Sequence, residues 1–216
     1  MSQIGFWDIL INLLYAAGWT IVLSLISFVG GGLLGLALLF VRIGKRRWPQ
    51  SIVKYYTEIF QGTPLLMQLF LAFFGLGLVG IDVSPMLAAS VALILWTAAF
   101  LVEIWRGCVM AIPKGQWEAS ASLGFTYIEQ MRHVILPQAI KLSIPPTVGF
   151  SVQVVKGTAL TSIIGFVEVT KAGTVLANAT FKPFLVYGLV ALIYFALCFP
   201  LSLSARKLER KLNAAH

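Results

Sequence analysis

The sequence predicts an all-α integral membrane protein with five transmembrane helices, its N-terminus outside and its C-terminus in the cytoplasm. Hydrophobic residues make up 59% of the 216 positions. Charged residues make up only 11%, against about 25% in soluble domains. A soluble chain of this length could not bury so much apolar surface, so soluble enzymes, soluble binding modules and disordered proteins are excluded. Cys108 and Cys198 lie far apart in apolar surroundings and indicate neither a disulfide framework nor a metal site.

The spacing of ionisable residues locates the five spans. Four hydrophobic regions contain uncharged stretches that exceed the ~18 residues a transmembrane helix needs. They predict spans at about 19–41, which follows a short preceding segment, and at 57–80, 84–110 and 183–205. A fifth hydrophobic region, 138–167, contains Lys156 as well as Pro145 and Pro146, so we expect an irregular span there.

The distribution of Lys and Arg orients these spans. With five spans, 13 of the 16 Lys and Arg residues flank loops on one side of the membrane. They are Arg42, Lys45, Arg46, Arg47, Lys54, Arg106, Lys114, Arg132, Lys141, Arg206, Lys207, Arg210 and Lys211. Because Lys and Arg accumulate in cytoplasmic loops, this side is expected to be the cytoplasm. The whole chain, 1–216, is then one transmembrane domain whose largest polar region is the cytoplasmic loop 111–137.

This cytoplasmic loop is predicted to fold as two short helices around a glycine. Positions 116–123 contain good helix formers, and Gly124 suits the left-handed residue that ends a helix. Thr126 and Glu129 form an S/T-x-x-E capping box that would start the second helix. Pro137 is expected to limit the continuation of that helix. An ordinary helical hairpin between two spans is the alternative to a loop that binds a partner.

The order of residues in the loop resembles the EAA loop of ABC importer permeases. The positions that match this motif in type and spacing are Glu118, Ala119, Gly124, Ile135, Leu136 and Pro137. Ser120 stands where a second alanine is usual, and its small side chain is expected to preserve close docking. The resemblance implies that these six residues couple the chain to a cytoplasmic ATPase.

Four further segments resemble those of polar amino acid permeases, so the resemblance extends along nearly the whole chain. They are 60–66, with Gln61 in place of the usual arginine, 103–107, 114–116, and 156–160, with Ala159 in place of a serine. The chain is similar, on these residues, to a permease subunit of the polar amino acid branch of type I ABC importers.

The resemblance implies a multi-subunit importer in the bacterial inner membrane. Such a permease pairs with a second permease subunit, the same chain or a paralogue, with a cytoplasmic ABC ATPase dimer and with an extracytoplasmic solute-binding protein. ATP and Mg²⁺ would belong to the ATPase, since this sequence contains no G-x-x-x-x-G-K-[ST] phosphate loop. We therefore expect a non-enzymatic transport subunit without a cofactor of its own. Its other expected partners are an amino-acid substrate and membrane lipid, and no nucleic acid.

Charges inside the predicted spans mark a candidate substrate pathway, because a charge in the membrane is costly and is usually functional or paired. Glu103 and Arg106 lie three residues apart on one helix face and are expected to pair. Lys156 lies mid-span near Gln153 and Thr158. It is expected either to attract a substrate carboxylate or to bind Glu103 structurally. The pathway predicted from these positions comprises Gln153, Lys156, Thr158 and Glu103.

Three other features of the spans carry predictions. Polar residues recur at steps of four and seven along the irregular span, and so share a helix face: Thr147, Ser151 and Thr158. Glu168 is expected at the outer membrane interface. In the first span, Ser27, Gly31 and Gly35 form a small-xxx-small ridge. This ridge is expected to pack either against the second permease subunit or within the chain.

Two other classes of function are open at this point. A secondary transporter or a channel subunit would carry its own coupling ions and would need no ATPase, so the EAA-like loop disfavours it. A membrane scaffold or sensor would need neither the mid-span Lys156 nor a polar helix face.

Overall fold

The computed structural model describes residues 5–44 and 46–213, and this part of the chain is helical with no β-strand. Its α-helices longer than one turn are α1 (Phe6–Arg42), α2 (Arg47–Gly62), α3 (Leu65–Leu78), α4 (Pro85–Met110), α5 (Lys114–Ser122), α6 (Leu136–Thr158), α7 (Val169–Thr180) and α8 (Pro183–Asn213). A π-helical segment, Leu71–Gly75, lies within α3. Lys45, one of the basic residues assigned to the cytoplasmic side, lies outside the described residues.

Three helices of the described chain, α1, α4 and α8, are long and apolar enough to cross a membrane, and α2 with α3 makes a fourth if the bent pair is one span. At 1.5 Å per residue, α4 is about 39 Å long, which exceeds the ~30 Å hydrocarbon core of a bilayer. α1 begins at Phe6 and continues without a break, so the short segment expected before the first span belongs to the same helix.

The span predicted at 57–80 is wrong as a single helix, because α2 and α3 meet at an angle of 103°. Pro64 causes the break, since proline lacks an amide hydrogen and disfavours helical geometry in the residue before it. Thr63 is accordingly extended, with φ −111° and ψ 142°. Gln68 bridges the bend, where its Nε2 donates to Phe60 O at 2.9 Å and to Thr63 O at 3.1 Å.

The region predicted as an irregular span, 138–167, is regular at its start and irregular at its end. α6 continues through both Pro145 and Pro146 as far as Thr158. Proline's fixed φ is compatible with a helix, so the two missing amide donors remove hydrogen bonds without ending it. A 3₁₀ turn, Ala159–Ser162, then follows, and Gly165 has a left-handed φ of 91°.

The small-residue ridge of α1 packs within the chain, against α4. Ser27 is fully buried, and Gly31 lies so close to α4 that a Cβ atom there would stand 2.6 Å from Thr97 Cβ. A Cβ on Gly35 would likewise lie 3.3 Å from Ala98 O. The ridge therefore brings two long helices of one chain together, which decides between the two expectations for it.

Glu168 is buried at the start of α7, and its predicted depth at the outer membrane interface stays a prediction. Its Oε2 accepts a hydrogen bond from Thr170 N and its Oε1 accepts one from Lys171 N, both at 2.8 Å. Tyr194 OH of α8 donates to Glu168 Oε2 at 2.7 Å. The carboxylate is drawn inward because it caps α7, whose first amide groups need acceptors.

Candidate functional site

The 111–137 loop contains the glycine-ended helix that its residues predict. α5 ends in a Schellman motif, in which Gly124 N donates to Ala121 O at 2.9 Å and Phe125 N donates to Ser120 O at 3.2 Å. Gly124 has a φ of 81°. This left-handed conformation costs a residue with a Cβ atom about 1–2 kcal/mol. The direction of the chain after α5 therefore depends on glycine at this position.

The predicted capping box is also present. Thr126 N donates to Glu129 Oε2 at 2.7 Å, and Glu129 N donates to Thr126 Oγ1 at 3.5 Å. The amide of Thr126, then its hydroxyl and the nearby His133, lower the pKa of the Glu129 carboxyl. The stabilisation from this carboxylate is therefore present above its unfolded-state pKa and is lost as the pH falls through its lower folded-state pKa.

The expectation that Pro137 limits the second helix is wrong. The capped turn, Tyr127–Glu129, continues through a π-helical segment, Gln130–Ile135, directly into α6. Pro137 occupies the first turn of α6, where a missing amide donor is tolerated. The wider π turn lies directly before it. The loop is consequently joined to α6 by continuous helical structure.

The residues that match the EAA motif divide between two environments. Exposed positions are Glu118, Ala119, Gly124 and Pro137, whereas Ile135 is fully buried and Leu136 is half-buried. Ile135 belongs to a buried cluster that joins α4, the loop and α6: Val109, Ile112, Met131, Ile135 and Ala139. The exposed members can therefore meet a partner, and the buried members hold the loop on the bundle.

Ser120 faces the interior of the chain, and the expectation that its small side chain preserves close docking stays a prediction. Its side chain is buried and its Oγ donates to Trp117 O at 2.9 Å. Large apolar side chains are exposed instead at the turn, where Leu123 is 76% and Ile128 75% exposed. The sequence reasoning missed these two residues, although large apolar side chains in a polar loop were a usable signal.

Tyr127 ties the loop to the end of α1. Its hydroxyl donates to Ile43 O at 2.7 Å, and its ring stacks on Trp117 of α5 with the centroids 6.3 Å apart. Gln138 Nε2 of α6 also donates to Gln116 Oε1 at 3.3 Å. The loop is thus fixed to the end of α1 and to α6, which the sequence reasoning did not anticipate.

Glu103 forms the predicted pair with Arg106 and a second pair that was not predicted. Arg106 Nε lies 2.7 Å from Glu103 Oε2, and Arg42 Nε of α1 lies 3.3 Å from Oε1. Thr57 Oγ1 of α2 lies 3.5 Å from the same Oε1. One carboxylate therefore joins α1, α2 and α4. Its partners show why the alternative of a Lys156–Glu103 pair is wrong: both carboxylate oxygens face arginines.

Lys156 instead lines a groove between α6 and α8 with a volume of about 530 Å³. Tyr194, Ser202 and Arg206 contribute its polar wall. Towards the start of α6 the groove adjoins a second hollow of about 450 Å³, lined by Arg206 and Glu209. Positively charged side chains therefore occur at two levels along a groove whose lining is otherwise mostly apolar.

Of the four predicted pathway residues, only Gln153 and Lys156 share the open face of α6. Thr158 is fully buried, and its hydroxyl donates to Val155 O at 2.7 Å. Thr147 also turns inward, where its Oγ1 accepts a hydrogen bond from Trp105 Nε1 at 2.8 Å. The predicted polar face of α6 therefore packs on neighbouring helices, and the exposed face lies one step round the helix.

Comparison with known proteins gives consistent matches over nearly the full chain. Residues 28–214 match the family model of the binding-protein-dependent transport system inner membrane component. The L-cystine transport system permease protein TcyB of Bacillus subtilis is 35% identical over 99% of this chain and 90% of its own length. The arginine transport system permease protein ArtQ of the same organism is 35% identical over 90% of each chain.

A solved structure shares both sequence and fold. It is described as an amino acid ABC transporter with histidines. Its matching chain superposes with a TM-score of 0.89 at 31% identity, over 93% of this chain and 94% of its own.

Proposed function

The chain belongs to the family of binding-protein-dependent transport system inner membrane components, and from that premise we propose how its loop and its groove serve amino acid import. It is a permease subunit of an ATP-driven amino acid importer, and ATP is hydrolysed by a separate subunit. In the proposal, the 111–137 loop docks the ATPase and the α6–α8 groove forms this subunit's half of the substrate path. The family match and the ordered EAA-like loop favour this function over a secondary transporter or channel.

The structure of the 111–137 loop is the main support for the proposal that the chain docks an ATPase. Its outward side presents Glu118 and Ala119 beside the exposed apolar residues Leu123 and Ile128. An exposed patch of this kind suits a protein partner. Its inward side is joined to α1, α4 and α6 by Tyr127 and the buried cluster around Ile135. A movement of the bound ATPase would therefore be transmitted through these contacts directly to the membrane helices.

The proposed topology has five crossings, with the N-terminus outside. They are α1, the bent pair α2–α3, α4, α6 with its 3₁₀ extension, and α8. In this arrangement the chain is a multi-pass protein of the bacterial inner membrane, and its 111–137 loop and its C-terminal end lie on the cytoplasmic side, where the ATPase binds. The excess of Lys and Arg on that side supports this orientation.

A second permease subunit covers the α6–α8 groove in this proposal. Lys156 and Arg206 are exposed on the isolated chain, and a mid-span charge such as Lys156 in contact with lipid costs about 2.5–3.5 kcal/mol at the membrane centre. A second subunit, the same chain or a paralogue, would enclose both residues in a polar path. An extracytoplasmic solute-binding protein would deliver the amino acid to the outer end of that path.

The experiment compares two glycine variants of the loop in the purified importer. Gly124→Val places a β-branched residue at φ 81° and is expected to remove the ATPase from the permease and to abolish ATP-driven uptake. Gly115→Val is the matched control, since Gly115 lies in the same loop with ordinary helical geometry and open space at its Cβ.

The assay measures ATPase stoichiometry after affinity purification and uptake of radiolabelled L-glutamine, L-arginine, L-histidine and L-cystine into proteoliposomes. Wild-type importer should take up at least one of the four. Gly124→Val with a full complement of ATPase and normal uptake would overturn the docking role of the loop.

A further inference from the structure

A hollow of about 440 Å³ lies between α1 and α6, over Trp105 of α4, and the proposed transport path does not use it. Leu36 and Phe40 of α1 line one side of this α1–α6 hollow, and Ile140 and Ile144 of α6 line the other. These four side chains are 43–59% exposed. The α1–α6 hollow is therefore open to the surroundings of the chain along both of its walls.

The polar side chains that line the α1–α6 hollow are hydrogen-bonded within the chain. Trp105 Nε1 donates to Thr147 Oγ1 at 2.8 Å, and Thr147 Oγ1 donates to Ser143 O at 2.6 Å. Ser143 Oγ donates to Ile140 O at 2.8 Å. Since these groups already have partners and the other lining residues are apolar, the α1–α6 hollow suits a hydrocarbon occupant.

The α1–α6 hollow lies on the side of α6 opposite the α6–α8 groove. Thr147 lines the hollow and Lys156 lines the groove. They are nine residues apart, which is about two and a half turns at 3.6 residues per turn, so they point in opposite directions. A second permease subunit that covers the groove around Lys156 would therefore leave the hollow facing away from it.

The length of the α1–α6 hollow matches one leaflet of a bilayer. Its lining extends along α6 from Leu136 to Val148, which is about 18 Å at 1.5 Å per residue. One leaflet contributes about half of the ~30 Å hydrocarbon core. A single acyl chain of one leaflet is therefore long enough to fill the hollow.

A cationic side chain lies at one end of the α1–α6 hollow. At Phe40 and Leu136 it adjoins a smaller hollow of about 230 Å³, which Arg132 also lines. Arg132 is exposed and makes no ion pair within residues 5–44 and 46–213. In the proposed topology this end lies on the cytoplasmic side, where basic pockets between helices suit anionic lipid headgroups. A guanidinium group is well matched to a phosphate.

We propose that a phospholipid with an anionic headgroup binds here, with its phosphate at Arg132 and one acyl chain in the α1–α6 hollow. A zwitterionic headgroup is a poorer ligand, because its own cation compensates the phosphate charge. The inference goes beyond the proposed function and uses only its orientation of the chain. The bound lipid would pack between α1 and the helical segment that joins the loop to α6.

The test is photolabelling of the purified importer in nanodiscs of phosphatidylcholine that contain a small fraction of a probe lipid. Two probes carry the same diazirine-labelled acyl chain and differ only in their headgroup, phosphatidylglycerol or phosphatidylcholine. Mass spectrometry of the digested permease measures labelling at Phe40 and Ile144. Leu33, which is exposed on α1 and outside the hollow, is the reference for bulk lipid. The ratio of labelling by the two probes at each residue reports preference for the headgroup.

Three variants separate the headgroup contact from the acyl-chain contact. Arg132→Gln removes the cation. Lys141→Gln is the matched control, since Lys141 is exposed on α6 and lines neither of the two hollows. Ser143→Trp places a large side chain in the α1–α6 hollow and should exclude the acyl chain. Because Arg132 is exposed, the test with Arg132→Gln does not depend on the folding of Ser143→Trp.

In the wild type we expect phosphatidylglycerol to label Phe40 and Ile144 about fivefold more than phosphatidylcholine does, as one basic residue near an anionic lipid predicts. The ratio at Leu33 should be close to one. Arg132→Gln should bring the ratio at the hollow close to one, and Lys141→Gln should keep the wild-type ratio. Ser143→Trp should reduce labelling of the hollow by both probes severalfold and leave Leu33 unchanged.

Equal labelling of the hollow by the two probes in the wild type would overturn the inference, and so would a preference that persists in Arg132→Gln. Labelling of Leu33 without labelling of Phe40 and Ile144 would also overturn it, because protein rather than lipid would then cover the hollow. These outcomes leave ATPase docking and substrate uptake untouched, so the proposed function is tested separately by its own assay.

Discussion

Glu103 illustrates how one charged residue can organise several membrane helices. Its carboxylate faces Arg106 on its own helix and Arg42 on α1, and Thr57 on α2 approaches the same group. Its side chain is only 23% exposed, so water screens these interactions less than at an open surface. Glu103 and its three partners therefore fix α1, α2 and α4 relative to each other.

Removing this carboxylate should destabilise the protein. Glu103→Gln leaves two arginines facing each other without a counter-charge, and it should lower the free energy of unfolding by about 1–3 kcal/mol, between the values for exposed and buried pairs. Thermal unfolding of the purified complex in detergent measures the effect. Glu58→Gln is the control, since its pair with Lys54 is 54% exposed on both sides and should contribute under ~1 kcal/mol. Equal shifts in the two variants would contradict this prediction.

Lys156 provides the second prediction at this scale. Lys156→Met removes the cation that lines the proposed substrate path, so uptake should fall about tenfold or more while assembly persists. Quantitative uptake into proteoliposomes, normalised to the complex recovered, measures this effect. Lys182→Met, an exposed lysine between α7 and α8, is expected to transport like the wild type. Full uptake by a well-assembled Lys156→Met variant would exclude a role for this cation.

The residues that sequence reasoning found and those it missed differ in the range of their contacts. Gly124 and the Thr126–Glu129 box were predictable because every partner lies within five positions, where turn chemistry applies. The Arg42–Glu103 pair spans 61 positions, and the Tyr127–Ile43 bond spans 84. Such partners depend on how α1 packs beside α4 and the loop, which no local pattern encodes.

At the element scale, two helices fit together because α1 carries glycine where α4 approaches most closely. A Cβ on Gly31 would lie 2.6 Å from Thr97 Cβ, whereas a Cβ on the next residue, Gly32, meets no atom within 4 Å. The spacing of the ridge was readable in the sequence. Which helix it contacts was not, because small residues suit contacts within a chain and between chains equally.

The two neighbouring glycines give a controlled prediction. Gly31→Ala should lower stability by about 1–3 kcal/mol, because α1 and α4 must separate to admit the methyl group. Gly32→Ala introduces the same side chain into open space and should be neutral or slightly stabilising, since alanine is the better helix former. Thermal unfolding and the yield of folded permease measure both effects. The prediction fails if the two variants unfold at the same temperature.

The prolines of this chain have different effects on helices, although each has the same local chemistry. Pro64 breaks the predicted second span, whereas Pro137, Pro145 and Pro146 lie within helical structure. Each removes one amide donor. At Pro64 the preceding residue is also extended, and Gln68 satisfies the carbonyl oxygens that the bend exposes. Sequence alone locates these residues, but the packing of the surrounding helices decides which of them ends a helix.

At the scale of the whole molecule, the loop and the groove are parts of one connected element. The capped turn after Gly124 continues through the π segment into α6, and α6 carries Gln153 and Lys156. Displacement of the loop would therefore move one wall of the groove directly. Binding of ATP to the partner can favour one state of the groove only if the complex in that state binds ATP more tightly.

This connection predicts alternating access along α6. Two cysteines introduced on its groove side, at Gly149 and Ala159, would lie on opposite sides of Lys156. In a background without Cys108 and Cys198, a membrane-impermeant thiol reagent applied from each side reports their exposure. ATP with vanadate should reduce labelling of position 149 from the cytoplasmic side and increase labelling of position 159 from outside, each by severalfold. Leu33→Cys, exposed on α1 and away from the groove, should label equally with and without nucleotide. Labelling of 149 and 159 that is the same in every nucleotide state would exclude this mechanism, because a rigid link between loop and groove cannot move at one end only.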